Sequence, residues 1–334
     1  MKVLPQKELF SWLDMIAGDR RLIAPKAVSR KVLYRPVQDS SEIAWEHDLP
    51  ALSAKDVLFP ATERLLTIEK MEGEINLAEH RDHPQQVLFG LRPCDARGIL
   101  ALDAMFNDTQ PRDDSYARRR ENTTLVGIAC QEVKDSCFCT SLGSSPHDTE
   151  GMDIMLTRAG ESYAMEILTE KGARLARDLS LEPFRGELPA PPSLTQDLPH
   201  PGELAWREHF EDPVWEQTAQ RCLGCRTCAY VCPACRCFDV RDESLASQDH
   251  RDKFERIRAW DSCMREDYRK IAGDHNPRAE KKTRLRNRVF CKFHYYPEQY
   301  GTLACTGCGR CIDACPVNID IVEILMTLAQ GVQV

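Results

Sequence analysis

Between Gln6 and Ala17 the apolar positions Leu9, Trp12, Leu13 and Ile16 recur at three- and four-residue steps, the spacing of one helix face, and Gly18 offers a stop. The pattern then changes. Leu22-Ile23-Ala24-Pro25 and Lys31-Val32-Leu33-Tyr34 are runs of strand length. Asp56–Phe59 and Arg64–Glu69 read as two more strands, on either side of Pro60-Ala61-Thr62-Glu63. Gln86–Leu91 and Thr123–Ala129 are apolar without alternation, which predicts strands buried on both faces. A helix over Ala96–Phe106 lies between them, and this order predicts an α/β sheet. Asp153–Thr157 and Tyr163–Leu168 flank a hairpin signal, and a helix over Thr169–Asp178 closes the unit. Six prolines between 183 and 201 mark a semi-rigid linker. Glu203–Arg221 has helical character, and Ile319–Ala329 fits one more amphipathic helix, placed under the second of two cysteine runs.

Those runs dominate the last third. Cys222, Cys225, Cys228 and Cys232 precede Pro233; Cys305, Cys308, Cys311 and Cys315 precede Pro316. Both follow C-x2-C-x2-C-x3-C-P, the bacterial ferredoxin pattern for [4Fe-4S] clusters. Three close thiolates wrap corners of a cubane, and Gly224, Gly307 and Gly309 let the backbone bend around it. In two-cluster ferredoxins the fourth cysteine serves the other cluster. The expected sets are therefore Cys222, Cys225, Cys228 with Cys315, and Cys305, Cys308, Cys311 with Cys232. Structural zinc is the competing reading, but its ligands usually come as separated pairs. The fold class expected is α+β: an α/β domain over 1–182, a linker over 183–202, and a mainly helical two-[4Fe-4S] ferredoxin-like domain over 203–334 with a long insert between the motifs.

Cys94 follows the first buried strand and Cys130 the second, so two strands deliver a cysteine to one sheet edge, where ligands of such sheets sit. Cys137 and Cys139 follow closely. These four are candidates for a third cluster; four buried free cysteines, or a metal other than iron, are the alternatives. The 72 residues between the motifs hold Cys235, Cys237, Cys263 and Cys291, either a fourth site or, for Cys235 and Cys237, shields of a neighbouring cubane.

Sixteen cysteines suit either a secreted disulfide scaffold or a reduced, metal-rich protein. The first residues carry no uninterrupted apolar run with a small-residue cleavage site, which favours the reducing cytoplasm. No stretch reaches the ~18 apolar residues of a membrane span. A formal charge of −8 disfavours nucleic acid. The one basic block, Arg278–Lys292, is a solvated helix face, a docking patch for an acidic partner, or charge compensation beside anionic clusters. There is no G-x-G-x-x-G after a strand and no P-loop, so no nucleotide site is signalled, and no nucleophilic triad stands out.

Leu91-Arg-Pro-Cys-Asp-Ala-Arg-Gly-Ile99, Cys137-Phe-Cys-Thr-Ser-Leu-Gly143, Cys232-Pro-Ala-Cys-Arg-Cys-Phe-Asp239, Trp260-Asp-Ser-Cys-Met264 and Cys308-Gly-Arg-Cys-Ile312 together resemble the iron–sulfur beta subunit of soluble, cytoplasmic NiFe hydrogenases (sulfhydrogenases). The same pattern occurs in the A subunit of anaerobic sulfite reductase. Cys291 stands where the resemblance leads one to expect histidine. The resemblance implies that Cys94, Cys130, Cys137 and Cys139 act together. It also implies an electron-transfer subunit, not catalytic alone, in an oxidoreductase complex; the two-cluster motifs themselves point to an anaerobic or microaerobic host, because oxygen damages partly exposed clusters. Its expected partners are a flavoprotein that binds FAD and NAD(P) and a catalytic subunit, NiFe hydrogenase first and sirohaem sulfite reductase second. Two other readings stand beside it: a subunit whose N-terminal cluster itself binds substrate, and an adaptor whose clusters only hold the fold.

Overall fold

In the computed structural model, which describes residues 1–47, 49–71, 74–80, 83–196, 198–245 and 252–331, the chain opens with strand β1 (Lys2–Pro5) and helix α1 (Gln6–Asp19). The hairpin β2 (Arg21–Val28) and β3 (Lys31–Val37) follows, then a helical turn α2 (Lys55–Leu58) and a second hairpin, β4 (Thr62–Met71) and β5 (Glu74–Glu79). Next come β6 (Gln86–Leu91), α3 (Pro93–Phe106), α4 (Asp114–Glu121), β7 (Thr123–Ile128), β8 (Ile154–Ala159), β9 (Ser162–Ile167), α5 (Glu170–Leu175) and β10 (Glu182–Pro183).

One eight-stranded sheet has the order β10-β1-β9-β8-β7-β6-β2-β3. Its centre is parallel: β6 pairs with β2 and β7, and β7 with β8. All six residues of β6 are buried, as its unbroken apolar run requires. On one face α1 lays Leu9, Trp12, Leu13 and Ile16 against Leu22, Val87, Phe89 and Val126. Each such side chain contributes about 1.5–3 kcal/mol when fully buried. Gly18 does not end α1; the stop is at Arg20, whose extended backbone leaves the spiral while its N–H still bonds Ile16 O at 2.9 Å.

The other face is covered by α2 and α3. Asp56–Phe59 is not a strand. Ala54, Leu58 and Phe59 are all buried in the cluster that holds Ile99, Leu102 and Phe106. A helical turn brings these three to one side, whereas a strand would point Leu58 and Phe59 to opposite faces.

The last third contains α6 (Val214–Arg221), α7 (Thr227–Tyr230), β11 (Phe238–Leu245), β12 (Asp252–Trp260), α8 (Lys281–Phe290), a π turn (Cys291–Tyr295), α9 (Tyr296–Tyr300), α10 (Arg310–Asp313) and α11 (Ile321–Gln330). The helix expected from Glu203 begins only at Val214, with Pro213 at its N-cap. The turns before it carry Trp206 onto Phe290 and Phe293, at ring separations of 5.2 and 5.9 Å. The region is also less helical than its pattern suggests, because the insert forms the β11–β12 hairpin.

That hairpin joins the second hairpin of the chain's early part. β12 pairs antiparallel with β4, Phe254 opposite Ile68, giving a four-stranded sheet β11-β12-β4-β5. Arg258, 2% exposed, locks the junction through Glu63 at 2.6 Å and through Asp113. Among the described residues no helix is long and apolar enough to cross a membrane.

Candidate metal centres

The N-terminal cysteines sit where the central strands end. β6 stops at Leu91, and Pro93, pre-set for the first helical position, starts α3 with Cys94 in its first turn. β7 stops at Ile128, two residues before Cys130. Phe138, 1% exposed, is anchored in the core of the last third and holds Cys137 and Cys139 on either side. All four cysteines line one cavity of about 600 Å³, together with Arg92, Trp45 and, from the second ferredoxin motif, Cys308.

Cys222, Cys225, Cys228 and Cys315 line a second, smaller cavity of about 50 Å³. Cys311 reaches its wall as well. Backbone amides already point at these sulfurs: Gly224 N lies 3.4 Å from Cys222 Sγ and Ile319 N 3.2 Å from Cys315 Sγ. The chain turns at Gly224 with φ +68°, a conformation open to glycine. Ile321 and Ile324 of α11 floor this cavity, and the same helix packs on Cys305, Cys311 and Ile312, so it underlies the second motif, as its pattern suggests, and the first as well. Cys225 is exposed, and Leu223 beside it is 67% exposed.

Cys305, Cys308, Cys311 and Cys232 lie deeper. Gly307 (φ +65°) is pressed against the Cys137–Cys139 loop: a Cβ there would stand 2.5 Å from the Cys139 backbone, and Phe138 N donates to Gly307 O at 2.8 Å. Gly98 of α3 is pressed in the same way on Pro233. Each motif thus meets the N-terminal unit at a glycine that leaves no room for a Cβ. Lys292 in the π turn ties Cys232 to this loop, with Nζ 3.1 Å from Cys232 Sγ and 2.8 Å from Ala304 O. Arg310 donates to Asp95 at 2.8 Å and to Pro50 O at 2.9 Å.

Burial works against thiolates here. It pushes Cys130 up to about 11 and Cys139 and Cys311 to about 12. Cys94 and Cys308 share a hydrogen bond that raises Cys94 well above an ordinary thiol and lowers Cys308 to about 6. Thiolates in such places persist when a metal takes the proton's role. Around them stand buried cations: Lys55, Arg288, Lys292 and Arg310, each 5% exposed or less. Burial opposes the charge of Lys292, but Cys232 and Cys235 outweigh it and hold its pKa well up. Two buried hydroxyls beside cluster cysteines, Ser136 Oγ and Thr306 Oγ1, have no protein partner, as donors to cluster sulfide would.

The donor set fits [4Fe-4S] groups: sulfur ligands ringing cavities, glycine cradles, orphaned donors and fixed positive charge. A zinc site needs four sulfurs about 3.8 Å apart, from Zn–S bonds of about 2.3 Å. Among the described residues no three Cys, His, Asp or Glu side chains converge closely enough to hold one metal ion.

Of the remaining four cysteines, Cys235, Cys237 and Cys263 lie close enough to act on one another. Cys237 bonds to Cys263, which lowers Cys237 to about 6. Cys235 bonds instead to Cys232, and Arg236 Nη2 lies 3.4 Å from Cys291 Sγ. The buried cations carried no signal in composition, because lysine and arginine read as surface. Arg288 and Lys292 do belong to the basic block, and their burial against sulfur favours charge compensation over a solvated face.

The 4Fe-4S dicluster domain family matches residues 221–319, which span both motifs and the insert. The chain is also 30% identical over 327 residues to the sulfhydrogenase 2 subunit beta of Pyrococcus furiosus, covering 93% of each chain. It belongs to the sulfhydrogenase beta-subunit family. No solved structure matches. The family thus agrees with the resemblance carried by the Arg-Pro-Cys-Asp and Cys-Phe-Cys elements, and the dicluster domain brings two [4Fe-4S] clusters with it.

Proposed function

We propose that this chain is the electron-transfer subunit of a cytoplasmic oxidoreductase complex, with three [4Fe-4S] sites between a flavin subunit that binds FAD and NAD(P) and a catalytic NiFe hydrogenase subunit. One observation carries the order of the sites. Cysteines of the second motif line both neighbouring cavities, Cys311 that of the first set and Cys308 that of Cys94, Cys130, Cys137 and Cys139. The second site, Cys305, Cys308, Cys311 and Cys232, therefore lies between two ends. One end is open at Cys225 and Leu223; the other is open at the N-terminal cavity. One-electron transfer is the chemistry such clusters supply when bound. The residues of this chain hold them, exclude water from the middle site and place the glycine contacts that keep neighbours close. The match to a beta subunit of a sulfhydrogenase supports partners of this kind; a sulfite reductase complex is the alternative setting. The Cys235–Cys232 hydrogen bond supports reading Cys235 as a neighbour of the second cluster, with no fourth cluster needed.

Anaerobic iron and sulfide analysis with EPR tests this. About twelve iron atoms per chain are expected, on four per cluster, reducible through the co-purifying flavin subunit. Zinc in place of iron would sink the reading. A second reading is favoured by the size of the N-terminal cavity, which at about 600 Å³ exceeds what a cubane fills: the third cluster itself takes a small substrate. A Cys94→Ser variant that kept its iron and its electron transfer but lost substrate turnover would favour it.

A further inference from the structure

Helix α8 and its π turn aim two buried cations into the space between the ferredoxin motifs. Arg288 and Lys292 are four residues apart and 5% and 3% exposed. Arg288 donates to Cys228 O at 2.9 Å and stands 3.5 Å from Cys235 Sγ. Lys292 donates directly to Cys232 Sγ and to the carbonyl before Cys305. The negative groups that face Lys292 are sulfurs: Cys232, Cys235 and Cys305. A buried cation costs several kcal/mol unless an anion offsets it. A π turn is an uncommon break in a helix and is frequent at functional sites. Here it carries the lysine.

We propose that Lys292 sets the reduction potential of the middle cluster, holding it easier to reduce than it would otherwise be. This rests on the electron-transfer reading above. Reduction adds one electron, taken from the flavin subunit, to the cluster and makes it more negative by one charge; no proton moves. An N–H···S hydrogen bond and a fixed positive charge stabilise that more negative form, which raises the potential. Lys292 reaches the cluster through Cys232, the cysteine that the first motif lends to the second, so its effect falls on one cluster of the three. It acts as a positioning residue for charge and takes no part in bond making.

The test uses the complex purified anaerobically with its co-purifying subunits. Potentials are read by EPR-monitored redox titration of wild type, Lys292→Met and Lys292→Arg. Lys292→Met with its full iron should shift one midpoint to more negative values and leave the others in place; Lys292→Arg should stay near wild type. Unchanged midpoints in an iron-replete Lys292→Met overturn the proposal. Should that variant lose iron, wild type labelled with 15N-lysine decides by pulsed EPR. A lysine nitrogen coupling on one cluster signal, absent from Lys292→Arg, is the expected result, and its absence in wild type overturns the proposal. Clusters that titrate but pass no electrons to the partner subunits would end the electron-transfer reading alone, and the midpoint shift would still judge Lys292.

Discussion

Arg310 and Asp95 form an ion pair at 2.8 Å with side chains 3% and 0% exposed. One comes from the second ferredoxin motif, the other from the turn that presents Cys94. Tyr34 Oη adds a bond to the same carboxylate oxygen at 3.1 Å. The pair therefore staples two cysteine sites through their ligand loops. Arg310→Met leaves a buried carboxylate unpaired, and a loss of about 3–5 kcal/mol is expected. Asp95→Asn should cost a similar amount. The double variant should lose less than the sum of the two. Chemical denaturation of the iron-loaded proteins, compared as a double-mutant cycle, measures the difference.

Cysteine replacements should divide into two groups by iron content. Cys130→Ala should lower iron by about four atoms per chain and spare the two ferredoxin-type EPR signals. Cys291→Ala should leave iron unchanged, because its sulfur faces Arg236 rather than a cysteine set. Equal iron loss in both would return Cys291 to a fourth cluster.

Gly307→Ala should weaken the protein and its third site together. The residue sits at φ +65°, where a side chain costs roughly 1–2 kcal/mol, and the new Cβ would strike the Cys139 backbone. Gly18→Ala is the matched control. It lies in α1 with nothing within 4 Å of its Cβ position, so alanine should stabilise by about 0.5–1 kcal/mol. Thermal melts with iron analysis separate the two.

Acid sensitivity should centre on Glu63. Burial alone would raise its pKa, but Arg258 and Arg119, with a bond from Ser115, overcome this and hold it at about 2, down from an ordinary 4.5. A depressed carboxylate contributes stability above its unfolded pKa and loses it as pH falls toward the folded one. The contribution, on the order of 3 kcal/mol, is present near neutrality and is lost between about pH 5 and 2. Glu63→Gln should be less stable at pH 7 and show a flatter dependence below pH 5, read by tryptophan fluorescence.

Strands β6 and β7 and helix α1 were legible because burial on two faces, or on one stripe, leaves a periodic trace. The converging edge with Cys94 and Cys130 followed from them. The ferredoxin motifs were legible because a cubane dictates ligand spacing. What escaped was non-local. Glu63 and Arg258 lie 195 residues apart, and nothing in the charged run from Phe238 to Trp260 signals a strand that pairs with β4. Asp56–Phe59 misled because a run as short as its three apolar residues suits a strand or a helical turn equally. Arg288 and Lys292 were legible only as members of a basic block with three readings, whereas Lys55 and Arg310 escaped, because their burial depends on groups brought from elsewhere in the chain.

The shared sheet of β4, β5, β11 and β12 bears on how the protein matures. While the chain is being synthesised, β4 emerges with an open edge that its partner β12 closes only after Trp260 has left the ribosome. An open edge invites pairing with other chains, so the early part needs the late part as its own escort. Strand β12 ends just before Cys263, and the second motif is made later still. Iron delivery and completion of the sheet thus belong to one closing stage, and a chain cut at the proline-rich segment should yield neither a stable first half nor a free-standing ferredoxin.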